Sequence, residues 1–202
     1  MTGMLQAQTE HWEAEDAIGA FCAEAREDDR LEIVSGDRDL IQLVRDPVVR
    51  LLFTVRGVSQ LLELDENAVM ARYGVPASRY AEFAILRGDP SDGLPGVNGV
   101  GEVTARALIT EYGSLEELVD DARSPAPRRG PLRGKPALRA RIRDAAGYLD
   151  VMRRLVPVND AAPISVWAGS RNDDSLRDLA ERRRLKGPTQ RVLAALDSAG
   201  AT

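Results

Sequence analysis

Acidic side chains recur in three tight groups along this chain: Glu13, Glu15 and Asp16; Asp37 and Asp39; Asp89 and Asp92. Carboxylates are hard oxygen donors, and the other residue types narrow what they could serve. One cysteine, Cys22, and one histidine, His11, cannot assemble a zinc site of the usual Cys/His kind. Any metal must be held by oxygen, as magnesium prefers. The third acidic group stands directly before "GLPGVNGVGEVTARAL", and residues 86–108 pack five glycines and two prolines into a stretch that then takes up a helical pattern. Gly96, Gly99 and Gly101 permit positive φ and close backbone approach, and the amides opening the following helix can meet a phosphate without any side chain. A plain helix hairpin with glycine caps has the same local pattern.

The elements that must position these groups follow from periodicity. Ala14, Ala17, Ile18, Phe21, Cys22 and Ala25 recur at helical spacing, which predicts an amphipathic helix over about 14–27. Positions 13 and 15 lie on opposite sides of a regular helix but share a side of an extended chain, so a site using both needs the helix to start near Glu15. Acids at a helix start also complement its dipole, and that alternative stays open. Leu31 to Val34 reads as a short buried strand, with Asp37 and Asp39 just past its carboxyl end, the edge where open α/β sheets bind ligands. A surface turn would carry the same two residues. "VVRLLFTV" and "VSQLLEL" predict two further strands joined at Arg56-Gly57, and Asp65 opens a short helix. "FAILRGDPSDGLPGVNGVGEVTARALITEYGSLEEL" then reads as helix, acidic loop, glycine hairpin, helix, turn, helix.

With 202 residues, 44% hydrophobic and 29% charged, the chain has enough material for one core and a smaller lobe. No apolar run suits a membrane span and the start lacks a signal-peptide core, which predicts a cytoplasmic protein with no membrane partner. The net charge of -5 conceals a split: residues 1–121 hold 10 Lys/Arg against 24 Asp/Glu, a balance of -14, whereas residues 122–202 hold 17 against 8, a balance of +9. Fifteen of those 17 cations are arginine, whose planar fork suits phosphate oxygens. An acidic half that concentrates cations beside a basic half that grips a polyanion points to metal-dependent chemistry on nucleic acid; uneven surface solvation is the plainer reading.

The motifs "WEAEDAIGAF", "IVSGDRDLIQLV" and "LRGDPSDGLPGVNGVGEVTARALITEYGSLEELV" resemble, in order and spacing, those of the 5'-3' exonuclease and flap endonuclease family. That family includes the amino-terminal domain of bacterial DNA polymerase I and free-standing bacterial relatives. The resemblance runs from about Glu13 to about Leu155, and "LRDLAERRRLKGPTQRVLAAL" is similar to the family's closing helices. It implies an α/β fold: a PIN-like, resolvase-like parallel-sheet nuclease core, here incomplete, plus an α-helical helix-hairpin-helix subdomain. The corresponding division is 1–56 for the remainder of the core, 57–155 for the DNA-binding subdomain and 156–202 for a helical segment packing back on the core.

The resemblance also implies two Mg2+ or Mn2+ ions held by Glu13, Glu15, Asp16, Asp37, Asp39, Asp89 and Asp92 for hydrolysis of DNA phosphodiester bonds. Bacterial members generally show E-A-D-D where this chain has E-A-E-D, but Glu15 is what eukaryotic and archaeal relatives show. Gly96, Val97, Gly99, Val100, Gly101, Glu102, Thr104 and Arg106 would hold duplex DNA by its backbone, independent of sequence, with K+ at the hairpin carbonyls. The implied substrate is a duplex with a 5' flap or 5' end, cut by a monomer. Gly93 and Val103 depart from the family's usual Asn and Lys, weakening the expected grip, which the basic stretch "RSPAPRRGPLRGKPALRARIR" could restore unless it is a linker. A preceding strand with a metal-binding aspartate and a helical arch are not seen before Thr9. The sheet is therefore expected to be incomplete and hydrolysis reduced, leaving as alternatives a non-catalytic duplex-binding module or a remnant that needs a partner chain.

Overall fold

A computed structural model describes residues 2–126 and 130–199. The chain forms two compact units, one of residues 13–162 and one of its two ends, 1–12 with 163–202.

The larger unit opens with α1 (Ala14–Ala23), which buries Ala17, Ala20 and Cys22. It stops short of the expected residue 27 because the chain turns: the Ala25 amide donates to the Cys22 carbonyl and the Arg26 amide to Asp29 Oδ2 at 2.8 Å. The apolar run beyond it forms β2 (Leu31–Ser35; β1 belongs to the other unit, below), parallel to β3 (Val49–Thr54), with Leu31 opposite Val49 and Ser35 opposite Phe53. After a turn at Gly57, β4 (Leu61–Leu64) returns antiparallel to β3. The sheet is thus mixed rather than all parallel. Among the described residues β2 pairs only with β3, and Val34 is left 54% exposed. Between β2 and β3 the chain makes a 3-10 helix, Asp39–Leu43, that buries Leu40 and Ile41.

The helices after the sheet have legible causes. Asp65 caps α2 (Glu66–Tyr73) by accepting the Ala68 amide at 2.7 Å, and Gly74 ends it in the left-handed region. The next helix, α3 (Tyr80–Arg87), buries six of its eight residues, including Tyr80, Phe83, Ile85 and Leu86. A helix apolar on all sides belongs at the centre of a core; α4 (Glu102–Glu111), α5 (Leu115–Arg123), α6 (Pro136–Asp144) and α7 (Ala146–Leu155) surround or extend from it. Ser114 caps α5 through the Glu117 amide. Of the basic stretch, Pro127, Arg128 and Arg129 lie outside the described residues, but Leu132, Leu138 and Ile142 are buried, so residues 130–143 are part of the core rather than a linker.

The end of α3 meets the glycine hairpin backbone to backbone. A β-carbon on Gly96 (φ 70°) would lie 2.6 Å from the Gly88 nitrogen and 2.7 Å from the Arg87 carbonyl carbon. Tyr148 of α7 pins the same crossing: its hydroxyl accepts the Gly96 amide at 3.3 Å and donates to the Ile85 carbonyl at 3.1 Å.

In the smaller unit, β1 (Leu5–Gln8) pairs antiparallel with β5 (Ser165–Ala168), Leu5 opposite Ala168. Two helices follow, α8 (Asp173–Arg183), capped by Asn172, and α9 (Lys186–Ala199), with Arg184 in the left-handed conformation between them. Arg171 pairs with Asp173 at the start of α8 and with Asp197 near the end of α9. Among the described residues no helix is long and apolar enough to cross a membrane.

The Gly96 crossing gives a direct expectation. Gly93 (φ 69°) has nothing within 4 Å of an added β-carbon, so Gly93→Ala should cost only the left-handed strain of about 1–2 kcal/mol. Gly96→Ala adds a backbone overlap that no side chain can relieve, and urea titration should find it the more destabilising by at least about 1 kcal/mol.

Candidate functional site

Five of the seven acids named from the sequence gather at one end of the larger unit, brought there by three local arrangements. Asp37 follows β2: its amide donates to Ser35 Oγ at 3.1 Å, and its own Oδ1 accepts the Asp39 amide at 2.9 Å. This side-chain turn aims the loop and starts the 3-10 helix, the local behaviour that favours aspartate at such positions. Asp89 and Asp92 come from the loop after α3, which closes on itself through Asp89 and Leu94: each amide donates to the other's carbonyl, at 3.0 and 2.9 Å. Glu15 projects from the first turn of α1. Gly36, Asp37, Arg38, Phe53, Ser91 and Asp92 line an open cleft of about 220 Å³.

Electrostatics show how close this grouping is. Asp39 is pushed up to about 6 by burial first, and then by the charges of Asp92, Asp37, Asp89 and Glu15. For Glu15, a backbone hydrogen bond at its own position lowers the pKa, but burial, a hydrogen bond and charge from Asp37, and the charge of Glu13 outweigh it and the net shift is upward. Like charges held together raise each other's proton affinity.

Asp89 differs from its neighbours. It is 2% exposed, and burial alone would raise its pKa; hydrogen bonds from the Ser91 hydroxyl and amide, with the charges of Arg38 and Arg87, bring it below the ordinary carboxylate value. Arg87 Nη2 lies 3.1 Å and Arg38 Nη1 3.6 Å from Asp89 Oδ2. A buried carboxylate requires such compensation. Arg38 and Arg87 are site residues that sequence reasoning passed over, although "LRGD" and "GDRD" set each of them one or two residues from an acid.

The remaining two acids are otherwise engaged. Asp16 Oδ2 accepts the Glu13 amide at 3.1 Å and Oδ1 the Asn159 amide at 2.8 Å, so its carboxylate ties α1 to the chain beyond α7. Glu13 is the exposed residue that caps α1, in extended conformation. Among the described residues no three Asp, Glu, His or Cys side chains converge as a ligand set for one ion. The donors suit a hard divalent cation chemically, but Asp89 is held by arginines.

The hairpin beside the acids has Gly96 and Gly99 at positive φ (70° and 71°) but Gly101 at -88°, so the third glycine is not there for a left-handed turn, contrary to expectation. Gly101 is the N-cap of α4 and supplies no side-chain cap, leaving the first amides of that helix without one. Val97 and Val100 are buried and anchor the hairpin; the Val97 amide donates to the Leu86 carbonyl at 3.0 Å. Thr104 lies half-buried in the first turn of α4, and Glu102 and Arg106 pair with each other across the next.

Residues 1–74 match the 5'-3' exonuclease N-terminal resolvase-like domain, and residues 75–173 the 5'-3' exonuclease C-terminal SAM fold. A protein of Streptomyces coelicolor named 5'-3' exonuclease is 40% identical over 203 residues, covering 96% of this chain and 64% of its own length. A protein of the same name from Mycobacterium tuberculosis is 36% identical over 212 residues, covering 97% of this chain and 64% of its own. The chain therefore spans just under two thirds of these curated relatives. A bacteriophage T5 flap endonuclease, crystallised with DNA and metal ions, shares the fold with a TM-score of 0.58 at 17% identity, over 92% of this chain and 60% of that one.

The crowding of Asp39 predicts a pH-dependent cost. A carboxyl whose folded pKa is raised contributes stability below its unfolded pKa, near 3.8, and loses it as pH rises through about 6. In EDTA, Asp39→Asn should therefore melt with the parent near pH 4 and be the more stable near neutrality, by up to about 3 kcal/mol for a shift of about two units. Equal stabilities at both pH values would remove the repulsion argument.

Proposed function

Since the chain belongs to the 5'-3' exonuclease family, we propose that it carries the metal-binding and duplex-holding parts of a 5'-3' exonuclease or flap endonuclease. The observation that carries this reading is the mutual crowding of Glu15, Asp37, Asp39 and Asp92, of which Asp37 and Asp92 line one cleft, together with a glycine hairpin whose helix opens with uncapped amides. So many anions in one place repel unless cations sit among them. Asp37, Asp39 and Asp92, with Glu15, would hold divalent ions, magnesium or manganese. Bound there, such ions would supply a water of lowered pKa and stabilisation of the leaving oxygen of a phosphodiester.

The protein's own residues do the rest. Asp89, already neutralised, positions rather than ligates: it fixes Arg38, and through it the loop that carries Asp37 and Asp39. Glu13 and Asp16 set the start of α1 and so the direction of Glu15. The hairpin's rigid backbone at Gly96 and Gly99 presents the α4 amides to phosphate, with K+ at the hairpin carbonyls as part of the same reading. Contacts of this kind read no base and weaken with salt.

One observation favours a second reading. Because Asp89 is paired with Arg38 and Arg87, and no three acids converge as one ligand set among the described residues, the chain could hold duplex DNA without turning it over.

A 5'-flap duplex separates the two. The nuclease reading predicts cleavage with Mg2+, none in EDTA, and a loss on the order of a hundredfold in Asp92→Asn with duplex binding in EDTA retained. Binding without cleavage by the parent protein, at any Mg2+ or Mn2+ concentration, would establish the second reading instead. A further variant checks the hairpin: Val103 is 80% exposed in the first turn of α4, so Val103→Glu should weaken duplex binding and Val103→Lys strengthen it.

A further inference from the structure

The hairpin lacks a lysine after its Gly-Glu, where Val103 stands, yet a cation lies against it from elsewhere in the chain. A β-carbon built on Gly99 would overlap a guanidinium nitrogen of Arg141, and would lie 2.7 Å from its Cζ and 3.3 Å from its Nε. Arg141 is on α6, more than forty residues along the chain, and its guanidinium occupies the space that any side chain at position 99 would need.

Among the described residues this charge is uncompensated. Arg141 makes no ion pair or hydrogen bond with its side chain, whereas the hairpin's own acid, Glu102, is taken by Arg106 on the next turn of α4. Its neighbours on α6 are placed differently: Arg139 donates to the Ala122 and Ser124 carbonyls at the end of α5, and Arg143 lies 3.9 Å from Asp144. Among the described residues this exposed guanidinium, laid over a glycine, has no partner, and it brings a positive charge to the hairpin surface.

We propose that Arg141 is a phosphate-binding residue of the hairpin, supplying from α6 the cation that position 103 does not. The proposal rests on the reading of the hairpin as a duplex-backbone site and names the residue that gives it charge. It also gives Gly99 a second reason to be glycine, since a larger residue would displace the guanidinium.

The test is equilibrium binding of a fluorescent duplex in EDTA across a series of KCl concentrations, with melting curves to verify folding. Arg141→Ala should bind roughly fivefold more weakly or worse and lower the slope of log K against log salt by about 0.9, one phosphate contact. Arg141→Lys should retain most of the affinity, and Val103→Lys in the Arg141→Ala background should restore the slope. If Val103→Glu weakens binding while Arg141→Ala matches the parent in affinity and slope, the hairpin holds DNA without Arg141 and the proposal fails alone. If neither substitution changes binding, the hairpin is not the duplex site and both readings fall together.

Discussion

A buried anion organises the acidic end of this molecule. Asp89 sits 2% exposed at the end of a helix that is itself nearly all core, where an unpaired carboxylate would be untenable. Its satisfaction by Arg87, Ser91 and Arg38 couples the loop after α3 to the loop after β2. The pairing does more than neutralise Asp89. It also sets Arg38, which stands between Asp37 and Asp39 in the chain, against the loop that carries Asp92, and the charges gathered there add to burial in raising Asp39. One ion pair that favours folding thus places beside it a set of charges that oppose folding, a local conflict of the kind found where a site is kept for function.

The hairpin is built against the same point. Gly88 and Gly96 cross backbone to backbone immediately before Asp89, Tyr148 fastens the crossing from α7, and the buried Val97 and Val100 hold the turn down. Acidic cleft and glycine hairpin are therefore two outputs of one rigid junction at the end of α3. Under the proposed nuclease reading, that rigidity would keep a duplex at a set distance from the acids, where small misplacements cost rate steeply.

Much of this was legible in the residues. The strand ahead of Asp37, though only its Ile33 is buried, the paired strands about Gly57, the Asp65 cap and the order of helices around the hairpin all follow from local signals: apolar runs, turn residues and capping side chains. What was not legible depends on contacts distant in sequence. Nothing in "LQAQ" or "SVWA" declares a strand, because both are exposed throughout and each is ordered only by pairing with the other. Position among acids could not tell Asp16, which binds the Asn159 amide, from Asp92, which lines the cleft. The glycines likewise look equivalent in sequence, yet Gly96 is required by a backbone crossing, Gly99 makes room for an arginine and Gly101 has an ordinary φ.

The most direct test is anomalous diffraction from crystals soaked in manganese. The account predicts Mn2+ between the carboxylates of Asp37, Asp39 and Asp92, with Asp89 still bound to Arg87. Manganese bound elsewhere, or an unchanged cleft without metal at saturating manganese, would contradict it.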